Sequence, residues 1–181
     1  MLRSIYLLIF KLTGWKTEGE FPHQLKKYII AVAPHTSNWD FAFGIMTRSI
    51  MKIQTAKFLG KDNLFKPPFG WFFRAVGGYP VNRSKNSDMV QQVVDIFNNH
   101  EEFILGLAPE GTRKKVDKLR TGFYYIAKKA NVPIVPCGFD YVKKMIVVGE
   151  PFYPTDNFKA DIDFLLKFYQ SITGKNSSLG L

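Results

Sequence analysis

The chain has 181 residues, a single cysteine and a formal net charge of +10, from 25 Lys and Arg against 15 Asp and Glu. That length suits one domain with its own core, and a hydrophobic fraction of 46% excludes a disordered chain. The lone Cys137 excludes an internal disulfide and a thiolate metal cluster, while the cationic excess points to anionic partners: nucleic acid, an acidic membrane surface or phosphorylated small molecules.

The chain opens with MLRSIYLLIFKLTGWK. Its apolar run, Ile5 to Phe10, is far shorter than the roughly 20 residues a bilayer-spanning helix needs. Arg3, Lys11 and Lys16 flank that run beside Trp15, the pattern of an amphipathic helix lying on anionic lipid. A signal peptide is a poorer fit, because no small-x-small cleavage site follows. A helix packed on the protein's own core remains the alternative. The expected division is therefore an N-terminal membrane-associating segment over 1–20 and a single α/β domain over 21–181.

YIIAVAP (28–34) is a continuous apolar run of strand length, as in a strand buried on both faces. NWDFAFGIMTRSIM (38–51) has helical length and period, with Ser37 available as N-cap. KIQTAKFLG holds a second strand, KDNLFKPPFGWFFRAVGG a loop and short helix, and YPVNR a short strand. In DMVQQVVDIFNNH (88–100), behind a Ser87 cap, Met89, Val90, Val93, Val94 and Phe97 share one helical stripe. FILGLAP (103–109) is a buried strand, TGFYYIAKKAN a helix, and VPIVPCGF and KMIVVGEP two more strands. KADIDFLLKFYQSITG is an amphipathic helix with Ile162, Leu165, Leu166 and Tyr169 inward. Strands alternating with helices predict an α/β fold, a mostly parallel central sheet with helices on both faces, joined by the N-terminal interfacial helix.

In such folds, function collects on the loops beyond the carboxyl ends of the strands. Two strand ends carry chemistry-bearing residues there, His35 after YIIAVAP and Glu110 after FILGLAP. Asp40 lies five residues beyond His35. On one continuous helix these would be about 140° apart, but a loop histidine leaves Asp40 in the first helical turn, free to turn back to the imidazole. An acid holding one ring nitrogen leaves the other as a base. Ser37-x-x-Asp40 also matches a capping box, in which the acid merely satisfies a backbone N–H.

Gly111 permits a tight turn whose N–H groups can face an anion. Arg113, two residues beyond it, offers a planar fork suited to phosphate. A solvated turn is the plainer reading of Glu110-Gly111-Thr112-Arg113 taken alone. Arg83, after GGYPVN, is a further phosphate candidate or a surface charge. Residues 57–78 interleave Lys57, Lys61, Lys66 and Arg74 with Phe58, Phe65, Phe69, Trp71, Phe72 and Phe73. That mixture suits a membrane interface, base stacking or an ordinary aromatic core. His23, His35 and His100 have no metal-ligand spacing, and Cys137, in VPIVPCGF, reads as a buried structural thiol in a reducing setting.

These pieces together resemble the glycerolipid acyltransferase family, the PlsC-like 1-acylglycerol-3-phosphate O-acyltransferases. Its H-x4-D block is matched by His35 and Asp40, its G-x-x-x-V-x-R-like block by GGYPVNR with Arg83, its F-P-E-G-T-R-like block by APEGTR (108–113), and its V-P-I-V-P-like strand by Val132 to Pro136. The four stand in the family order across roughly residues 28 to 150. Two positions depart from the pattern: Ala108 replaces an aromatic, and Asn82 stands where an acid is common.

The resemblance implies acyl transfer from a thioester, acyl-CoA or acyl carrier protein, to a hydroxyl of a phosphorylated glycerolipid, lysophosphatidic acid first, in phospholipid biosynthesis. Asp40 would orient His35 as base. Arg83 and Arg113 would grip the phosphate with Gly111 and Thr112, and Glu110 would order the arginine or the glycerol hydroxyls. No metal or other cofactor, and no nucleic acid, is expected. Attachment to anionic lipid would be peripheral, on the cytoplasmic face of the membrane. The alternatives are another lyso-lipid acceptor on the same fold, or a non-catalytic basic module binding membrane or nucleic acid.

Overall fold

A computed structural model describes residues 2–82 and 89–179. Seven strands form one sheet in the order β1-β7-β6-β2-β5-β3-β4. They are β1 (Lys16–Glu18), β2 (Lys27–Val32), β3 (Lys57–Lys61), β4 (Gly78–Val81), β5 (Phe103–Leu107), β6 (Ile134–Asp140) and β7 (Met145–Val148). Pairing is parallel throughout except between β6 and β7, which are antiparallel and joined by a tight turn. The helices are α1 (Leu2–Thr13), α2 (Trp39–Ile50), α3 (Gly70–Ala75), α4 (Met89–Asn99), α5 (Gly122–Ala130) and α6 (Phe158–Tyr169).

Alternation along β2 sorts its side chains into two cores, as the pleat demands. Ile29, Ala31 and Ala33 join Leu105 of β5 and Val93, Phe97, Phe123 and Leu165 of α4, α5 and α6. Tyr28 and Ile30 join Val135, Cys137 and Phe139 of β6 with Phe10 of α1 and Ile50 of α2. The sheet is thus covered on both faces, as the continuous apolar runs predict. The stripe on α4 faces inward, with Val93, Val94 and Phe97 buried and Met89 and Val90 packed beside them. On α6, Leu165 and Tyr169 are buried together with Asp161, which accepts hydrogen bonds from the Tyr124 hydroxyl and the Thr155 N–H.

Three local features differ from the sequence reading or were not read there. First, α2 begins at Trp39 with Asn38 at the cap position and no side-chain cap bond. The Ser37 hydroxyl instead accepts from the Trp39 N–H, because the Asp40 carboxylate turns back over the preceding loop. Second, Lys16–Glu18 pairs with β7 as an edge strand; its three exposed polar residues carry no apolar pattern. Third, Trp15 is buried against Phe10, Phe43 and Tyr141 rather than lying among interfacial cations. The expected Ser87 cap lies outside the described residues.

Helix α1 has one face against the core and one face exposed. Phe10 is buried and its ring meets those of Trp15 and Phe43, while Leu2, Ile5, Leu8 and Leu12 are exposed. The aromatic stretch divides in the same way: Phe65 is buried, and Phe69, Trp71 and Phe72 are exposed.

Candidate active site

Strands β2 and β5 are neighbours in parallel register, so the loops leaving their carboxyl ends meet. The first carries His35, the second Glu110. Glu110 is 1% exposed, and its Oε2 accepts the His35 backbone N–H at 2.6 Å. A buried carboxylate is costly unless hydrogen-bonded, and here its bond fixes the histidine loop. The structure therefore puts Glu110 beneath that loop.

His35 Nδ1 lies 3.0 Å from Asp40 Oδ2. The same Oδ2 accepts the backbone N–H groups of Thr36 and Ser37, each at 2.9 Å. One oxygen thus serves the loop backbone and the imidazole together, although Ser37 does not cap the helix. On the other oxygen, Oδ1 accepts the Tyr141 hydroxyl at 2.7 Å. Burial pushes the Asp40 pKa up. The hydrogen bonds from His35, Tyr141 and Ser37, with the charge of His35, outweigh it and hold the carboxyl below its ordinary value. Asp40 is 3% exposed, whereas the His35 side chain keeps 24% of its surface.

Underneath, Thr36 is buried and tied to the C-terminal segment. Asn176 donates its backbone N–H to Thr36 Oγ1 and its side-chain amide to the Thr36 carbonyl. The Lys175 ammonium stands over the exposed Trp39 ring.

The loop 108–120 closes on itself through Gly111 N–H to Ala108 O and Arg120 N–H to Pro109 O. Gly111 has φ +66°, and a Cβ there would sit 2.5 Å from Arg120 Cδ and Nε. Its N–H is spent inside the turn instead of facing outward. Thr112 Oγ1 accepts the Lys114 N–H. Arg113 reaches back across the two loops and donates to Asn38 Oδ1. Arg83 lies outside the described residues; the strand before it, β4, ends at Val81.

His35, Asp40, Asn38 and Arg113 line one cavity of about 460 Å³, within the range of about 300–1,000 Å³ usual for ligand pockets. Behind this polar mouth the walls are apolar: Ile30 and Val32 of β2, Phe41 and Ile45 of α2, Phe58 of β3 and Phe139 of β6. Ala108, where the resemblance expects an aromatic, is part of the lining. Cys137 also reaches the wall; burial pushes its thiol up to about 12, in keeping with a structural role. Among the described residues no three His, Cys, Asp or Glu side chains are grouped to hold a metal ion.

Tyr141 and Asn38 went unread in the sequence. Tyr141 is 101 positions from Asp40 and belongs to no motif; its one signal is a phenol immediately after a strand that ends beside β2.

Residues 16–140 match the family model described as Acyltransferase, and the chain belongs to that family. It is 28% identical over 140 residues to the 1-acyl-sn-glycerol-3-phosphate acyltransferase of Streptococcus pneumoniae, covering 73% of this chain and 50% of that one. It is 29% identical over 133 residues to the Escherichia coli enzyme of the same name, covering 69% and 53%. The chain spans about half the length of these relatives. The crystal structure of the 1-acyl-sn-glycerophosphate acyltransferase from Thermotoga maritima shares the fold, with a TM-score of 0.63 at 19% identity over 94% of this chain and 76% of that one.

Proposed function

We propose that the chain transfers a fatty acyl group from an acyl thioester to the free hydroxyl of lysophosphatidic acid. The observation that carries this reading is the His35–Asp40 pair, lining with Arg113 one largely apolar cavity. The relatives' names supply the acceptor.

Asp40 holds Nδ1, so the opposite nitrogen of the ring, Nε2, takes the proton from the acceptor hydroxyl as its oxygen attacks the thioester carbonyl. The tetrahedral oxyanion collapses, the carbon–sulfur bond breaks, and the imidazolium returns the proton to the departing thiolate. General-base assistance of this kind is worth about 10²–10⁴-fold. The apolar wall takes an acyl chain. Arg113, with Arg83 and the Thr112 hydroxyl, takes the acceptor phosphate; Gly111 serves by closing the turn before Arg113, and Glu110 by holding the histidine loop. No metal or other cofactor enters; acyl-CoA or acyl carrier protein is the donor.

The bilayer surface is the second partner, met peripherally on the cytoplasmic face. Among the described residues no helix is long and apolar enough to cross a membrane. The exposed Leu2, Ile5, Leu8 and Leu12 of α1, and Phe69 and Trp71 at α3, are residue types that enter an interface. The net charge of +10 favours anionic lipid.

The test is release of free thiol and formation of diacyl product, with acyl-CoA and acyl carrier protein offered against a panel of lyso-acceptors. The chain should turn over lysophosphatidic acid, and His35→Ala should fold normally while losing at least about a hundredfold in rate. Full turnover by His35→Ala removes the base role.

A further inference from the structure

We infer that Tyr141 is a positioning residue for the His35–Asp40 pair, acting through Asp40 Oδ1. The inference rests on the reading of His35 as the base.

A carboxylate has two oxygens and about four acceptor sites, and on Asp40 these are divided unequally. Oδ2 takes three donors: the imidazole at 3.0 Å and the Thr36 and Ser37 N–H groups at 2.9 Å each. Oδ1 takes the Tyr141 hydroxyl at 2.7 Å. Three donors place Oδ2 but hold the carboxyl group at one point only. The fourth, on the other oxygen, fixes its plane, and with it the direction in which Oδ2 meets Nδ1.

The arm that delivers this hydroxyl is rigid. The Tyr141 ring lies edge-on to Trp15 at 5.2 Å and to Phe43 at 5.6 Å. Its backbone N–H donates to the Thr173 carbonyl at 2.9 Å. Just before it, Asp140 Oδ1 accepts the N–H groups of Val142 and Lys143 and so pins the turn between β6 and β7. Four separate parts of the chain thus hold one phenol against one carboxylate oxygen.

The direction of proton sharing is also fixed. Burial, then the bond to Asp40 and its charge, push the Tyr141 hydroxyl far above its ordinary range, while Asp40 lies below its own. Tyr141 is therefore a donor, and Asp40 an acceptor, at any working pH. Among the described residues, Glu110 meets the His35 backbone, Arg113 meets Asn38, Arg48 donates to the Gln54 and Val76 carbonyls, Lys143 pairs with Asp140, Lys175 lies over Trp39, and Lys57 and the thiol of Cys137 are in the cavity wall. The Tyr141 donor on Oδ1 is one of the hydrogen bonds that keep Asp40 ionised. Tyr141 thereby aligns the base through Asp40.

Tyr141→Phe keeps the ring between Trp15 and Phe43 and removes only the hydroxyl. The expected result is a fall in kcat of about tenfold, the factor for one hydrogen bond to a charged group, with both KM values within about twofold. Without one of the bonds that lower Asp40, its carboxylate should protonate at higher pH and the acid limb of kcat/KM should move up with it, a change that loosened packing would not produce. In an Asp40→Asn background the same substitution should cost nothing further. In the unaltered chain, the carbon-13 resonance of the Asp40 carboxyl should show a deuterium isotope shift from the Tyr141 proton, a readout independent of how the variant folds. A Tyr141→Phe enzyme with unchanged kcat and a superimposable pH profile overturns the inference, as does a loss that recurs in full beside Asp40→Asn, or an absent isotope shift. Those outcomes with His35→Ala inactive sink the role of Tyr141 alone, whereas an active His35→Ala sinks the base it is said to serve.

Discussion

Arg113 donates to the side-chain carbonyl of Asn38, so the guanidinium on the loop after β5 is tied to the residue that opens α2, three positions beyond His35. A phosphate held by Arg113 would be fixed relative to the base by one side-chain link. Arg113→Ala should raise the KM for the phosphorylated acceptor more than about tenfold, one charge-assisted pair being worth roughly that factor. The KM for the thioester donor should stay put. Arg113→Lys keeps the charge but loses the planar fork and should fall between the two. Steady-state kinetics with each substrate varied in turn decides it, and a donor-side effect would place Arg113 on the wrong substrate.

Glu110 accepts the His35 N–H at 2.6 Å while 1% exposed. Glu110→Ala strands that donor in a buried site, which costs about 1–3 kcal/mol, and Glu110→Gln retains an oxygen in reach of it. Thermal melts should therefore rank wild type, Gln and Ala in that order, with kcat falling in parallel as the histidine loop loosens. An alanine variant that melts with the wild type would show the bond to be dispensable.

The sequence made the two strand ends readable because each joins a strong apolar run to residues with no place in a core. YIIAVAP stops at His35 and FILGLAP at Glu110, and the rule that sites gather beyond the carboxyl ends of parallel strands did the rest. It could not show that β2 and β5 are neighbours, because strand order depends on contacts between segments about 75 residues apart. The bonds from His35 to Glu110 and from Arg113 to Asn38 both span 75 positions. The Tyr141 bond escaped notice for the same reason. Trp15 misled because Lys11 and Lys16 lie close to it in sequence while its ring turns inward, and β1 was invisible because an edge strand of Lys-Thr-Glu buries nothing. Arg83, singled out by its place after a short glycine-led strand and then matched to the family block, lies outside the described residues.

Cys137 provides a pH test. Its thiol is raised from 9.0 to about 12 by burial, so the native chain holds a neutral thiol where the unfolded chain ionises. A raised folded value means the contribution is complete below 9.0 and is lost as pH rises from there to about 12. Over that window the chain should lose up to about 1.4 kcal/mol per pH unit from this group. Buried tyrosines titrate in the same range, so the comparison is with Cys137→Ala, whose stability in urea should decline less steeply by that amount. Native protein near neutral pH should also resist iodoacetamide, and denatured protein should react. Equal slopes for the two chains, or rapid native alkylation, would contradict a sealed thiol.

Helix α1 can be split by its two faces. Phe10 is 4% exposed, so Phe10→Ala should cost about 3–5 kcal/mol of stability and leave the outer face intact. Leu8 and Leu12 are 55% and 76% exposed. Changing both to Ser should leave the melting temperature within a few degrees and leave turnover of short-chain, water-dispersed substrate unchanged. If these leucines enter the bilayer, each forfeits up to about 1.5–3 kcal/mol of burial, and cosedimentation with anionic vesicles should fall by at least about tenfold. The same pair of substitutions should matter far less where no vesicle is offered. Unchanged partitioning would leave α1 as a piece of the core with an idle apolar back, and the exposed rings at Phe69 and Trp71 would then be the surface to alter next.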